Sequence, residues 1–343
     1  MLAWLFHEWE RRIHAATPDR VVRTFEWGLD WIPTRSLHPT DAEEEVLERY
    51  VADALADSDT FFAAPRTRAY TLGADGHLTF PSALETPHPE NNTVHARFFP
   101  ARQSARWTEG RPRRAVVVLP QWNSDPGAHV GLCRLLSWFG LNALRLSLPY
   151  HDERMPPELT RADYIVSSNV ARTLQSCRQA VLDARRCVDW LEDQGFERIG
   201  ILGTSLGSCL SMLTAAHEPR IRAAALNHIS TYFADVVWEG LSTSHVREGL
   251  DGHIDLERLR RLWLPISPRA HVDRMANTPT LLVYARYDLS FPLHLSRELV
   301  DLWRERNMPH QVAVLPCGHY TTGTSPFKWI DGYHLTRFLL KHL

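Results

Sequence analysis

At 343 residues and 44% apolar content, the chain is long and apolar enough for a substantial core, and one folded body with insertions is expected. Its 38 basic and 40 acidic residues give a formal charge of −2, and no basic stripe interleaved with aromatics runs along it, which argues against a nucleic-acid partner. Nowhere do about 18 uncharged apolar residues run together, so no stable membrane insertion is expected.

The chain opens on an apolar run broken by His7 and Glu8, with neither a leading basic region nor a small-residue cleavage site, which points to a cytoplasmic protein. Residues 1–75 read as an N-terminal helical extension packed on the main body. Apolar residues fall at helical spacing at Leu2, Trp4, Leu5 and Trp9, and again at Val46, Leu47, Tyr50, Val51 and Leu55. A Trp-rich first turn also suits a membrane surface, but packing on a core explains the same stripe. Residues 76–343 read as the main domain. Its first elements, Leu78-Thr79-Phe80 and Val94 to Phe99, alternate apolar and polar about a turn, as an antiparallel pair does.

From Ala115-Val116-Val117-Val118-Leu119, a continuous apolar run suited to a strand buried on both faces, strands and helices alternate. Strands are predicted at 141–148, 199–202, 221–226, 280–284 and 311–315, and helices at 172–194, 206–217, 293–305 and 327–342. The alternation implies an α/β fold with a mostly parallel central sheet flanked by helices. Cap insertions at about 150–170 and 228–275 interrupt it, both after strands, where loops build ligand sites in open α/β sheets. The five cysteines Cys133, Cys177, Cys187, Cys209 and Cys317 are spread without a C-x-x-C pair and read as reduced, buried thiols, with no metal site.

Gly203-Thr204-Ser205-Leu206-Gly207 fits G-x-S-x-G and lies between a predicted buried strand and a predicted helix. On such a turn the serine takes strained backbone angles, so small residues two before and two after it are needed to avoid collisions. A serine hydroxyl is a weak nucleophile, so an imidazole must take its proton and a carboxylate must hold that imidazole in the right tautomer. Asp288 follows the strand 280–284, and His319 follows the strand 311–315 behind Gly318, read here as a backbone hinge. His310, His294 and His334 compete for the histidine role but lie at a strand start or inside helices. The backbone N–H of Leu206 is the first expected oxyanion donor. The second comes from the loop after 115–119, where Trp122 is preferred, Gln121 stands second, and Pro120 has no N–H to give. Tyr150 and His151 either contact a polar substrate group or belong to an ion-paired loop that anchors the cap. Tyr232, Phe233, Val236, Val237 and Trp238 have the composition of a lid over an apolar pocket, with Trp238 a candidate substrate contact, although they could equally pack the cap's own core.

With the strand, the GTSLG elbow, the Asp288 loop and the Gly318-His319-Tyr320 loop in this order, the chain from about 77 to 343 resembles the α/β-hydrolase superfamily. Leu148-Pro149-Tyr150-His151, Arg172-Thr173-Leu174, Ala180 to Arg185 and Gly203 to Ser208 look like a poorly characterised group of bacterial α/β-hydrolase-domain proteins. The resemblance implies the α/β-hydrolase fold and a serine esterase, lipase or peptidase-like activity without a cofactor. It carries Ser205, Asp288 and His319 over as a catalytic triad. The pattern departs at Pro120-Gln121, where many members have His-Gly. The expected activity is cleavage of a small-molecule carboxylic ester through an acyl-enzyme. Its rivals are an acyltransferase or amidase with the same triad, and a non-catalytic binding protein with a vestigial one.

Overall fold

The computed structural model describes residues 2–17, 19–33, 41–102 and 112–343. Among them the β-rich runs form one nine-stranded sheet. The strands are β1 (Thr71–Leu72), β2 (His77–Pro81), β3 (Thr93–Phe99), β4 (Arg114–Leu119), β5 (Asn142–Leu146), β6 (Arg198–Thr204), β7 (Ile221–Asn227), β8 (Thr280–Ala285) and β9 (His310–Leu315), in the order β1-β2-β3-β5-β4-β6-β7-β8-β9. The pairs from β1 to β5 are antiparallel and the rest parallel. Alternation sets the antiparallel register, with Phe80 opposite Val94 and Leu78 opposite Ala96. The predicted strand at 141–148 ends earlier, at Leu146, where the chain turns through Pro149 and a positive φ of 65° at Tyr150.

The longer helices are α1 (Leu2–Ala15), α2 (Glu43–Ala56), α3 (Val130–Trp138), α4 (Val170–Asp193), α5 (Leu206–His217), α6 (Phe233–Glu239), α7 (Ser244–Leu250), α8 (Leu256–Leu262), α9 (Leu293–Glu305) and α10 (Phe327–His342). The apolar run of β4 serves both faces of the sheet. Ala115, Val117 and Leu119 join a core with side chains from α4, α5 and α9, while Val116 and Val118 join a second core with α3 and α10. All five cysteines are free and buried. No helix among the described residues is long and apolar enough to cross a membrane.

The N-terminal extension departs from expectation. α2 buries Val46, Leu47, Tyr50 and Val51, but Leu2, Trp4, Leu5 and Trp9 of α1 are exposed, and the residue that α1 buries completely is Glu10. Periodicity identifies an apolar face without identifying its partner, and here α1 docks through hydrogen bonds that Glu10 accepts and through Phe6, stacked on Tyr287 at 4.8 Å. Beyond it, the Glu26 N–H donates to the Ser168 carbonyl, and Val170 and Ala171 donate back to the carbonyls of Glu26 and Trp27. The N-terminal segment is therefore laced into the first insertion.

Candidate active site

Ser205 occupies the turn between β6 and α5 with φ 56° and ψ −121°, a conformation unfavourable for any side-chain-bearing residue. Its own N–H donates to the Asn227 carbonyl on β7 at 2.8 Å. The two glycines of the motif make the turn possible. A β-carbon on Gly203 would lie 2.0 Å from the Gly207 carbonyl oxygen, and one on Gly207 would lie 2.2 Å from that of Leu119. The same close approach brings the loop after β4 against the elbow. Leu206 opens α5, so its N–H has no acceptor one turn back.

Asp288 lies after β8, fully enclosed. Its Oδ1 accepts the N–H groups of Ser290 at 2.8 Å and Phe291 at 2.7 Å, which fixes the carboxylate plane. The other oxygen, Oδ2, meets His319 Nδ1 at 3.1 Å, and the His319 ring stacks on Phe291 at 5.4 Å. The structure thus brings Ser205, Asp288 and His319 to one end of the sheet, with Ser205 and His319 lining one cavity. Gly318 precedes His319, but the left-handed conformation expected of a hinge is absent there. It is glycine because Glu10 fills the adjoining space.

A fourth residue belongs to this cluster and nothing in the sequence marks it. His228, the first residue after β7, has a φ of 58° and places Nδ1 2.8 Å from the same Asp288 Oδ2. An ionised carboxylate only accepts, so both imidazoles present Nδ1–H to it. Thr322 Oγ1 lies 3.2 Å from His228 Nε2, and Ser208 Oγ donates to the His228 carbonyl. Burial would raise the Asp288 pKa, but His319 and His228 prevail and hold it well below the usual carboxylate range. Burial also lowers both imidazoles. For His228 that effect wins and its pKa is lowered, whereas the charges of Asp288 and Glu10 carry His319 above its ordinary value.

The loop after β4 is clamped from the first insertion. The Trp122 indole donates to the Ala162 carbonyl at 2.8 Å and stacks on His245, and the Ala162 N–H donates to Asn123 Oδ1 at 2.7 Å. Among the described residues no acceptor takes the Trp122 backbone N–H. His151 is buried, and its Nε2 accepts the Asn123 N–H at 2.9 Å, so it supports this loop from behind rather than facing a cavity. Tyr150 is enclosed between His88 and Tyr164. Trp238 packs at the cap with Arg247 above it. None of the three lines either cavity at Ser205, which corrects the expected substrate contacts. The surrounding loop is ion-paired, through Arg154–Asp183 at 2.8 Å and Arg145–Asp152 at 3.0 Å.

Ser205 lies between two cavities. A wide cleft of about 860 Å³ holds His319, His228, Gln121, Trp122 and Trp329. An apolar pocket of about 50 Å³ is lined by Leu206, Trp122, Phe233, Val236, Val237 and Phe291, without His319. Phe233, Val236 and Val237 thus line the apolar pocket, while Tyr232 and Trp238 do not.

Two groups of described residues bring three possible metal ligands within 4.8 Å of one another: His228, Asp288 and His319, and, on β2 and β3, His77 and His95 with Glu153. In the first group both Nδ1 atoms sit at direct hydrogen-bond distance from one carboxylate oxygen, so the shell is closed on itself. In the second the two imidazoles already meet each other at 3.0 Å.

No family model matches the chain, and no curated protein matches its sequence. Solved structures do. An acetyl xylan esterase from Paenibacillus sp. R4 superposes with a TM-score of 0.61 at 14% identity, over 91% of this chain and 100% of that one. A lipase in its open form gives 0.54 at 11% identity, over 77% and 97%. The acylaminoacyl peptidase of Pyrococcus horikoshii gives 0.59 at 14% identity over 84% of this chain, which spans only 43% of the peptidase's length. The mixed sheet, the strand-to-helix elbow after β6 and these superpositions establish that the chain has the α/β-hydrolase fold.

Proposed function

We propose that this protein is a serine hydrolase that cleaves a carboxylic ester, with Ser205 as nucleophile, His319 as general base and then acid, and Asp288 as the group that orients and stabilises the imidazolium. The observation that carries the reading is the meeting, at one cavity, of a serine in a strained elbow with a histidine whose Nδ1–H is held by a buried carboxylate. With Nδ1 so engaged, the neutral ring keeps its lone pair on Nε2, which takes the Ser205 proton as Oγ attacks the carbonyl carbon. The negative charge developing on the carbonyl oxygen faces the N–H of Leu206 and that of Trp122, or of Gln121 as the second choice. Collapse expels the alcohol, which takes its proton from His319, and water activated by the same ring then releases the acid.

The two cavities divide the substrate. The departing alcohol must lie where His319 can protonate it, hence in the wide cleft, and the acyl group occupies the apolar pocket on the Leu206 side. A pocket of about 50 Å³ is a small fraction of the roughly 150 Å³ that accommodates benzene, so it suits an acyl chain of about two or three carbons. A fluorescent fluorophosphonate should label the protein and not Ser205→Ala, and para-nitrophenyl acetate should be hydrolysed faster than the octanoate. Folded protein that neither labels nor turns over would remove the hydrolase reading.

A further inference from the structure

We infer that the alcohol part of the ester carries a negative charge, a carboxylate or a phosphate, recognised by basic side chains of the wide cleft; this rests on the hydrolase reading. The chain as a whole has slightly more acidic than basic residues, 40 against 38, so an average lining would be balanced. The cleft beside Ser205 is not. Arg20, Arg102, Arg134, Arg161 and Lys328 line it, and Asp331 is the one acid among the described lining residues. Asp331 is deeply buried, which raises its pKa to about 7 and removes much of its charge.

Among the described residues, ion pairing cancels one of the five cations. Arg161 pairs with Asp19 at 3.0 Å and with Asp163 at 3.6 Å. Among the described residues no carboxylate pairs with Arg20, Arg102, Arg134 or Lys328. Arg20 is held by the carbonyls of His14 and Thr17, and its Nε is buried without a partner. Arg102 lies over the exposed Trp138 ring at 4.5 Å and Lys328 over the exposed Trp329 ring at 5.2 Å. Aromatic faces therefore position Arg102 and Lys328, carbonyls position Arg20, and no carboxylate among the described residues cancels these charges. A concave site of one sign with low-dielectric walls focuses its field and concentrates oppositely charged substrate, and guanidinium groups match carboxylate and phosphate oxygens in pairs. Because His319 shares this cleft, the charge belongs on the leaving side of the ester.

The test compares kcat/KM for para-acetoxybenzoate with that for the neutral para-acetoxybenzamide, and for meta-acetoxyphenyl phosphate with a neutral meta-substituted acetate. The same protein preparation is labelled with fluorophosphonate. The charged substrate should be preferred by about tenfold or more at low salt. That ratio should fall several-fold in Arg134→Gln, in Lys328→Gln and in high salt. Which anion shows the larger ratio tells carboxylate from phosphate. A ratio near one in an enzyme that labels, or a ratio indifferent to both variants and to salt, overturns the inference and leaves the hydrolase reading intact. Absence of labelling and of turnover on every ester removes the reading itself. Calorimetry on Ser205→Ala then settles the cleft, since equal affinity for para-hydroxybenzoate and para-hydroxybenzamide overturns the anion site independently of catalysis.

Discussion

The carboxylate of Glu10 stands where any side chain on Gly318 would have to go, since a β-carbon built on Gly318 lies 2.4 Å from the Glu10 carboxyl carbon. That carboxylate accepts the N–H groups of Tyr320 and Thr321 and the Thr321 hydroxyl, each at 2.9 Å, and so ties α1 to the loop that carries His319. Burial raises the Glu10 pKa against the lowering effect of these donors and of His319.

Removing the acceptor leaves three donors without a partner. Glu10→Ala is expected to cost roughly 2–4 kcal/mol of stability. It should also lower kcat about tenfold or more by loosening His319, with Glu10→Gln intermediate because its amide oxygen still accepts. Denaturant titration and ester kinetics on the two variants check this; a Glu10→Ala protein of full stability and activity would show that α1 merely rests on the surface.

Much of the site is legible in the sequence because its signals are local. A glycine-flanked serine between a buried strand and a helix, and an acid and a histidine just past later strands, need no knowledge of distant contacts. Glu10 and His228 escape for the opposite reason. Glu10 acts on residues 310 and 311 positions away, and its helix advertises a tryptophan stripe that stays exposed. His228 depends on a positive φ in a non-glycine residue and on a register that aims β7 at the Asp288 loop. Tyr150 and His151 mislead because a polar aromatic pair after a strand resembles a ligand contact, whereas their hydrogen bonds go to protein groups.

The shared carboxylate sets the pH dependence. In the proposed mechanism His319 must be neutral to accept the serine proton, and its pKa is raised, so activity should be present at alkaline pH and lost as pH falls, with the midpoint above that of an ordinary histidine. His228, whose pKa burial lowers, draws on the same Asp288 oxygen. His228→Ala should therefore leave Asp288 to His319 alone, move the acidic limb of kcat/KM upward and, by unfastening the carboxylate, reduce kcat about tenfold. His228→Asn, whose amide can donate in place of Nδ1, should bring the limb back. A His228→Ala profile superimposable on wild type would reduce the residue to packing.

Strain at the elbow yields a comparison between two inactive variants. Ser205 holds φ 56° and ψ −121°, angles that glycine adopts freely and alanine does not. Ser205→Gly and Ser205→Ala both lack the proposed nucleophile, yet Ser205→Gly should be the more stable by about 1–2 kcal/mol. Equal denaturation midpoints for the two would mean that the elbow is not strained in solution.

Asp331, on α10 beside Ser205's neighbour Asn227, gives a pH signature of the opposite sense. Its Oδ2 accepts from Asn227 Nδ2 at 2.8 Å, its Oδ1 has no partner among the described residues, and burial raises its pKa to about 7. In the unfolded chain the same carboxyl ionises near the ordinary value of about 3.9. The fold therefore favours the protonated form, and the stability tied to this group is complete below that ordinary value and is lost as pH rises towards neutrality. Asparagine mimics the protonated acid and does not titrate. Asp331→Asn should match the wild type in thermal stability near the acid end of the range and exceed it increasingly up to pH about 8, by an amount on the order of 4 kcal/mol for a shift of this size. A stability difference that stays constant across this range would show that folding leaves the Asp331 pKa at its ordinary value.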